Sequence, residues 1–189
     1  MNILLERLPT AIEVDGEICE INADFRNCLE IILIFEDPEL AEFEKRMIML
    51  ELLYKEVPEN TVEACKKAVK FLNCGEEIGK SHKTKTRLYS FEKDAQYIFT
   101  AINQSHSIDL ETVEYLHWWK FCYMFLDVGE DCFFSHLVDL RARKAKSKLT
   151  KEEKEFCNNN PDLINLPEVL SAEEIIEQNE LLRILGERE

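Results

Sequence analysis

The sequence predicts a mainly α-helical fold: a single helical domain with an N-terminal β-hairpin packed on it. Two observations lead to this fold class. After about residue 24, apolar residues recur at the three- and four-residue spacing of a helix face. Five glycines and five prolines among 189 residues provide few interruptions, so long regular elements are expected.

The hairpin is predicted at residues 11–21, where apolar and polar residues alternate around Asp15-Gly16. Asp-Gly between two such arms is a strong turn signal, because glycine adopts the positive φ that a tight turn requires. A two-stranded hairpin is only marginally stable alone. We therefore expect it to pack against helices.

Helix signals follow one another along the rest of the chain. The predicted caps are Asp24, Asn60 with Glu63, Asp131, and Thr150 with Glu153. The predicted helices cover about 24–35, 38–54, 60–74, 91–103, 110–126, 131–140, 150–158 and 171–185. Two apolar stripes follow helical spacing, one with Leu40, Phe43, Met47, Leu50 and Tyr54, the other with Val62, Cys65, Val69 and Leu72.

The predicted domain organisation separates residues 1–160 from residues 161–189. The first part holds the hairpin and most helices, with a mobile loop at about 76–88 where apolar periodicity disappears. The second part is a turn-rich connector followed by an acidic amphipathic helix, which Ser171 and Glu174 cap. This last helix is expected either to close a groove of the domain or to act as a detachable arm.

Charge and cysteine content narrow the function classes. The net charge of −15 argues against nucleic acid as a partner, because phosphate binding requires a basic surface. No apolar run approaches the roughly 20 residues of a membrane span, and the N-terminus lacks the features of a signal peptide. The cysteine count is seven, and reduced thiols in the cytoplasm are the expected state.

A search for catalytic or cofactor-binding motifs finds only fragments. Glu114-x-x-His117 is half of a di-iron motif, but none of the other three histidines has a glutamate three residues earlier. Gly79-Lys80-Ser81 lacks the earlier glycine of a phosphate-binding loop. The sequence therefore predicts no cofactor and no enzyme. A Cys–His nucleophile pair stays open, because such partners are distant along a chain.

Binding surfaces are the remaining candidates. The aromatic segment 113–126 is predicted either as a central core helix or as a groove wall that receives a partner helix. Trp119 is expected to be buried near Leu116. The groove that receives the partner is expected to be flanked by the predicted 38–54 and 110–126 helices. Candidate partner-binding residues are Phe43, Met47, Leu50, Tyr115, Trp118, Phe121 and Tyr123. Candidate residues for self-association with acidic faces of other copies, from the basic run 141–148, are Arg141, Arg143 and Lys144.

Several sequence strings resemble a known family. They are Tyr89-x-Phe91-Glu-x-Asp94-Ala-x-Tyr-Ile, Ile108-Asp-Leu, Tyr115-Leu-His-Trp-Trp-Lys-Phe, and the hairpin with the following Ile21-Asn-x-Asp-Phe-Arg. Together they resemble, over most of residues 10–167, the bacteriophage tail proteins encoded beside the tape-measure protein in Gram-positive phages and prophages. Where such sequences often have glycine before Ile-Asp-Leu, this chain has His106-Ser107.

The resemblance implies a tail assembly chaperone in the host cytoplasm. Such a protein would coat the apolar helical tape-measure protein, in several copies, until the tail tube polymerises around it. The open alternatives are a structural connector or tail-completion protein retained in the particle, and an enzyme with a cryptic site.

Overall fold

The computed structural model describes residues 2–76 and 86–167. It confirms a mainly α-helical fold with an N-terminal hairpin. The elements are β1 Ala11–Val14, β2 Glu17–Glu20, α1 Phe25–Glu36, α2 Glu42–Leu53, α3 Thr61–Leu72, α4 Ala95–His106, α5 Trp118–Leu126, α6 Phe133–Ala145, α7 Lys151–Asn159 and α8 Pro161–Ile164. None of these helices is long and apolar enough to cross a membrane.

The described residues fall into two compact units, 2–76 and 86–167. The predicted domain boundary after residue 160 stays a prediction. Most of the predicted mobile loop and the whole predicted helix at 171–185 lie outside the described residues.

The hairpin forms as predicted. β1 and β2 pair antiparallel with Val14 opposite Glu17, and Asp15 and Gly16 make the turn with φ of 51° and 86°. Asn60 at the start of α3 donates to the Asp15 carboxylate at 2.7 Å. The Lys55 amide, just after α2, donates to the Glu20 carbonyl at 3.0 Å. The hairpin is thus held by its neighbouring helices, as a two-stranded ribbon requires.

Side-chain caps fix three of the predicted helix starts. Asp24 accepts from the Arg26 amide, Asn60 accepts from the Glu63 amide, and Thr150 forms a reciprocal capping box with Glu153. The predicted cap Asp131 is wrong. α6 instead begins after Cys132, whose sulfur accepts from the Ser135 amide at 3.4 Å.

Three helices begin later than predicted. α2 begins at Glu42, not at Pro38, because the Asp37 carboxylate accepts from the Glu39 amide and forms a separate turn. α4 begins at Ala95, not at residue 91, and α5 begins at Trp118, not at residue 110. In each case local side-chain hydrogen bonds or a tertiary contact replace the first predicted turns.

The face of α3 that the first unit buries is not the apolar stripe that includes Val62. Its core combines Cys28, Ile31, Met49, Leu50 and Leu53 with Ala64, Ala68 and Phe71. Val62, at the start of the predicted stripe, is 67% exposed. The two alanines let α3 lie close to its neighbours, and the larger side chains are left at the margin.

The second unit is built around α4, α5 and α6, with α7 and α8 packed at one end. Its buried residues include Ile98, Ile102, Phe121, Phe134 and Leu137. A second apolar cluster joins Leu137 of α6 to Cys157 of α7 and Ile164 of α8. The stretch 158–167, predicted as a connector, is therefore anchored in the core of this unit.

In the turn after α4, Ser107 has a backbone conformation that glycine favours. Ser107 has φ 50° and ψ 38°, the left-handed conformation at the end of a helix. Glycine adopts this conformation without strain, whereas other residues pay for it. The turn geometry is thus the one that a glycine would favour, although this chain has serine there.

Candidate functional site

The aromatic helix α5 begins at a histidine cap. His117 is buried, and its Nδ1 accepts from the Trp119 amide at 3.0 Å. Before it, Asp109 accepts from the Glu111 amide and the Thr112 hydroxyl, each at 3.0 Å, and so forms a turn instead of a helix. His117 therefore has a structural role. Among the described residues, no group of His, Cys, Asp or Glu side chains is placed to hold a metal ion.

Most of the aromatic residues of α5 are core residues. Trp118 and Trp119 are 3% and 6% exposed, and the Trp118 ring stacks on Phe121 with centroids 5.7 Å apart. Of the partner-binding candidates in this segment, Trp118 and Phe121 are buried, Tyr123 is half-buried, and Tyr115 is 53% exposed. Within this unit, Tyr115 is therefore the candidate with the most surface to offer a partner.

An aromatic cluster connects α5 to the segment before α4. Tyr89 makes edge contacts with Phe91, Phe125 and Phe134 at centroid distances of 5.4, 5.0 and 6.2 Å. Such contacts stabilise by roughly 0.5–1.5 kcal/mol each beyond the area they bury. Tyr89 and Phe91, which belong to the family-like string, thus hold the chain as it enters this unit.

Arg141, predicted for self-association, is instead the centre of a buried polar network. It is 5% exposed and forms a bidentate ion pair with Asp94, which is fully buried. Its remaining hydrogen bonds go to three backbone carbonyls, of Leu88, Leu163 and Ile164, at 3.1, 2.6 and 3.0 Å. One guanidinium therefore holds the segment before α4, the start of α4 and α8 together.

The other two self-association candidates also have partners within the chain. Arg143 donates to Asp139 at 2.7 Å and pairs with Glu153 of α7. The Glu153 hydrogen bond raises the pKa of Arg143, and the same bond lowers the pKa of Glu153. Lys144 donates to the side-chain oxygen of Asn165 at 2.8 Å. Much of the basic run is thus used inside the second unit, and its role between copies stays a prediction.

The first unit carries the clearest exposed apolar surface among the partner-binding candidates. Phe43 of α2 and Val62 of α3 are 73% and 67% exposed, and Met47 and Val69 are half-buried. We call these four residues the α2–α3 surface. The two helices pack together, and Arg46 lies close enough to Cys65 to lower its pKa, against a larger upward effect of burial. Leu50, the remaining candidate on α2, is fully buried.

Sequence reasoning missed Val62 and Val69 as surface residues. Their helical spacing identified them as an apolar stripe, without indicating whether the stripe faces the core or the solvent. Ala64 and Ala68, four residues apart, were the sequence signal for the buried face of α3. Small residues allow a helix to approach its neighbours closely.

Comparison with models of known families identifies a family for this chain. The model of the bacteriophage Gp15 protein family matches residues 4–166, which include both units. No curated protein and no solved structure matches the chain.

Proposed function

Because the chain belongs to the bacteriophage Gp15 family, we propose that it is a tail assembly chaperone that binds the tape-measure protein. Membership makes it a phage protein and indicates a structural or assembly role. The finer assignment rests on the resemblance of its motifs and on the surface described above. Its client is proposed to be an apolar helical segment of the tape-measure protein.

The observation that carries this proposal is the exposed α2–α3 surface. Phe43 and Met47 are one helical turn apart on α2, and Val62 and Val69 are two turns apart on α3. A helix that docks in a groove uses apolar anchors at such spacings. Burying one large apolar side chain contributes roughly 1.5–3 kcal/mol. The four residues therefore provide enough apolar contact for weak binding of a single segment, which repetition along a long client would strengthen.

This surface differs from the groove that the sequence predicts between the 38–54 and 110–126 segments. Trp118 and Phe121 are buried and stabilise the second unit, and Leu50 is in the core of the first. We therefore assign the primary contact to α2 and α3. Tyr115 and Tyr123 remain candidates for a secondary contact.

The proposed role is non-catalytic and takes place in the host cytoplasm, with several copies on each client. Shielding apolar surface requires no reacting group, and the chain's acidity favours solubility of a coated client. An enzyme with a cryptic site is the less supported alternative. Cys28 is buried in the core, and His117 caps α5.

Co-expression with the tape-measure protein tests the proposal. The client is expected to stay in solution and to co-purify with this protein, and to aggregate by light scattering when it is expressed alone. A client that is equally soluble alone, and that never co-purifies, contradicts the chaperone function.

Family membership fits a structural connector or tail-completion protein equally well. Purified mature particles separate the two roles. A chaperone is expected to be absent from them, whereas a connector is present in a fixed copy number.

A further inference from the structure

The two helices of the α2–α3 surface meet at Arg46 and Cys65. Arg46 lies close enough to the Cys65 thiol to lower its pKa, although burial raises that pKa by more. Arg46 directly precedes Met47 on α2. Cys65 lies three residues after Val62 and four before Val69, so it is their neighbour on α3. The apolar residues of the surface therefore border the line along which the helices meet, and the far side of each helix forms an edge.

The edge on α2 is acidic. Glu44 lies three residues before Met47 and Glu51 lies four residues after it, so both carboxylates flank Met47. They are on the side of α2 that faces away from Arg46. Both glutamates are exposed, and the Glu44 carboxylate also accepts from the Ala41 amide at 2.9 Å at the start of the helix. Two negative charges thus lie two helical turns apart along this edge.

The edge on α3 is basic. Lys66 lies four residues after Val62 and three before Val69, on their outer side. Lys70 continues this edge one turn later, and both lysines are exposed. The Lys66 ammonium pairs with Glu63 at 3.2 Å, and 70% of the lysine side chain is exposed. An exposed pair of this kind contributes little to stability, so Lys66 is able to exchange Glu63 for an anionic group of a partner.

We propose that these two edges select the charge pattern and the direction of the helix that docks on the α2–α3 surface. The ligand is an amphipathic helix with lysine or arginine along one flank of its apolar stripe and aspartate or glutamate along the other. Its basic flank lies over Glu44 and Glu51, and its acidic flank lies over Lys66 and Lys70. This inference rests on the proposed function, because it concerns the same site and the same client.

Opposite charges on the two edges set a direction. Turning a helix end for end, with its apolar stripe still on the surface, exchanges its two flanks. In one direction both flanks meet opposite charges, and in the other both meet like charges. Exposed charge pairs contribute modestly to affinity, so the apolar contacts hold the client and the edges orient it. Along a client with a constant charge pattern, successive copies therefore bind in the same direction.

The two ends of the surface are distinguishable by peptide mass spectrometry. Residues 54–60 join α2 to α3, and consecutive helices with such a short connection pack antiparallel. Residues 42–47 therefore lie beside residues 69–72 at one end of the surface. Residues 50–53 lie beside residues 61–64 at the other end. A reactive group at one terminus of a docked helix thus reports the direction of that helix.

Photo-crosslinking of two synthetic peptides to the full chain tests the proposal. Each peptide is about 20 residues long, a length at which isolated helices form, and carries benzophenone at its N-terminus. Both have the same leucine stripe, with a lysine flank and a glutamate flank that are exchanged between the two peptides. At low salt, each peptide is expected to label one end of the surface about threefold to tenfold more than the other. The two peptides are expected to prefer opposite ends.

Glu51→Lys/Lys66→Glu exchanges one charge between the edges and keeps the net charge. It is expected to bring the ratio of labelling at the two ends to about one, with an unchanged circular dichroism spectrum. The control Arg7→Glu/Glu13→Lys makes the same exchange at two exposed positions outside the surface and is expected to match the parent. Salt near 1 M, where the Debye length is about 3 Å, is expected to remove the end preference of the parent while labelling continues.

Equal labelling of both ends of the parent at low salt overturns the charge selection and leaves the proposed function in place. The same end preference in Glu51→Lys/Lys66→Glu as in the parent overturns it too. Failure of both peptides to bind the parent contradicts docking on the α2–α3 surface itself, and so does equal binding to Phe43→Ser/Met47→Ser. Either of these two results overturns the inference together with the proposed client contact.

Discussion

Arg141 and Asp94 form a bidentate ion pair inside the second unit, with Nη1–Oδ2 and Nη2–Oδ1 distances of 2.6 and 3.0 Å. Oδ2 of Asp94 also accepts from the Ser90 amide at 3.0 Å, so this oxygen has two donors. Asp94 belongs to the family-like string that begins at Tyr89. The pair gives Asp94 a structural role in this chain, because the carboxylate orients a guanidinium that donates to three backbone carbonyls.

Arg141→Leu is expected to lower the free energy of unfolding by about 3–5 kcal/mol, because it leaves the Asp94 carboxylate buried without its cation. Urea unfolding followed by tryptophan fluorescence measures this, since both tryptophans are in the second unit. Arg143→Leu, two residues after Arg141 on α6, is the matched control. Its pairs are partly exposed, so the loss of stability is expected to be much smaller. Equal losses in the two variants would contradict the buried network.

Trp119→Ala is expected to cost roughly 3–5 kcal/mol, because it removes a buried aromatic side chain. Trp118 remains as the fluorescent reporter, and Lys120→Ala, at an exposed position of the same helix, is expected to be nearly neutral. A Trp119→Ala protein as stable as its parent, but unable to bind the client, would make α5 a binding surface.

Ser107→Gly is expected to raise the free energy of unfolding by up to about 1 kcal/mol. Glycine removes the strain of the left-handed conformation at φ 50°, and its greater entropy in the unfolded chain offsets part of the gain. Ser107→Val, which has a branched side chain, is expected to destabilise instead. Thermal unfolding of the two variants measures this: a Ser107→Gly protein less stable than Ser107→Val would contradict a left-handed conformation at residue 107.

Cys28 is expected to resist alkylation in the folded protein. It is fully buried, and burial raises the pKa of its thiol, so little thiolate forms near neutral pH. Iodoacetamide should modify it at least about tenfold more slowly than the half-exposed Cys19, as read by peptide mass spectrometry.

The raised pKa of Cys28 also makes the stability of the fold depend on pH. At neutral pH the thiol is protonated in both states, so its raised pKa does not change stability. As pH rises above about 8.5, the unfolded thiol ionises while the buried thiol stays neutral, and the fold loses stability. Cys28→Ser should therefore show a smaller loss of stability between pH 8 and 10 than the parent does. Identical pH profiles would indicate that the thiol is not desolvated.

Client binding is expected to change little with salt. The α2–α3 surface acts through apolar burial, which screening does not weaken, whereas exposed charge contacts weaken as the Debye length falls to about 3 Å near 1 M. Binding of a tape-measure segment, measured by calorimetry at low and high salt, checks this. A tenfold or larger loss at high salt would indicate an electrostatic site.

The sequence was most informative where a structure depends on neighbouring residues. The Asp15-Gly16 turn and the caps at Asp24, Asn60 and Thr150 were predicted correctly, because each relies on hydrogen bonds or torsions within a few residues. The family-like strings also predicted a phage protein, which the family match confirms.

Tertiary contacts explain what the sequence did not predict. Arg141 belongs to the basic run 141–148, which predicts a solvated surface. Nothing nearby in sequence indicates that Arg141 pairs with Asp94, 47 residues away. The Asp94 side chain makes no capping hydrogen bond to the amides of α4, because its carboxylate pairs with Arg141. Periodicity likewise could not distinguish the Ala64 face of α3 from the Val62 face, because both repeat at helical spacing.

The amount of tape-measure protein that co-purifies with Phe43→Ser/Met47→Ser tests the central claim most directly. Leu4→Ser/Leu5→Ser is the matched control, since Leu4 and Leu5 are 89% and 82% exposed and lie outside the α2–α3 surface. The account predicts that the parent and the control retain the client equally. It predicts that the Phe43/Met47 variant, although folded, retains about a tenth or less, from the loss of at least about 1.4 kcal/mol of apolar contact. Full retention by that variant, or no co-purification with the parent, would contradict it.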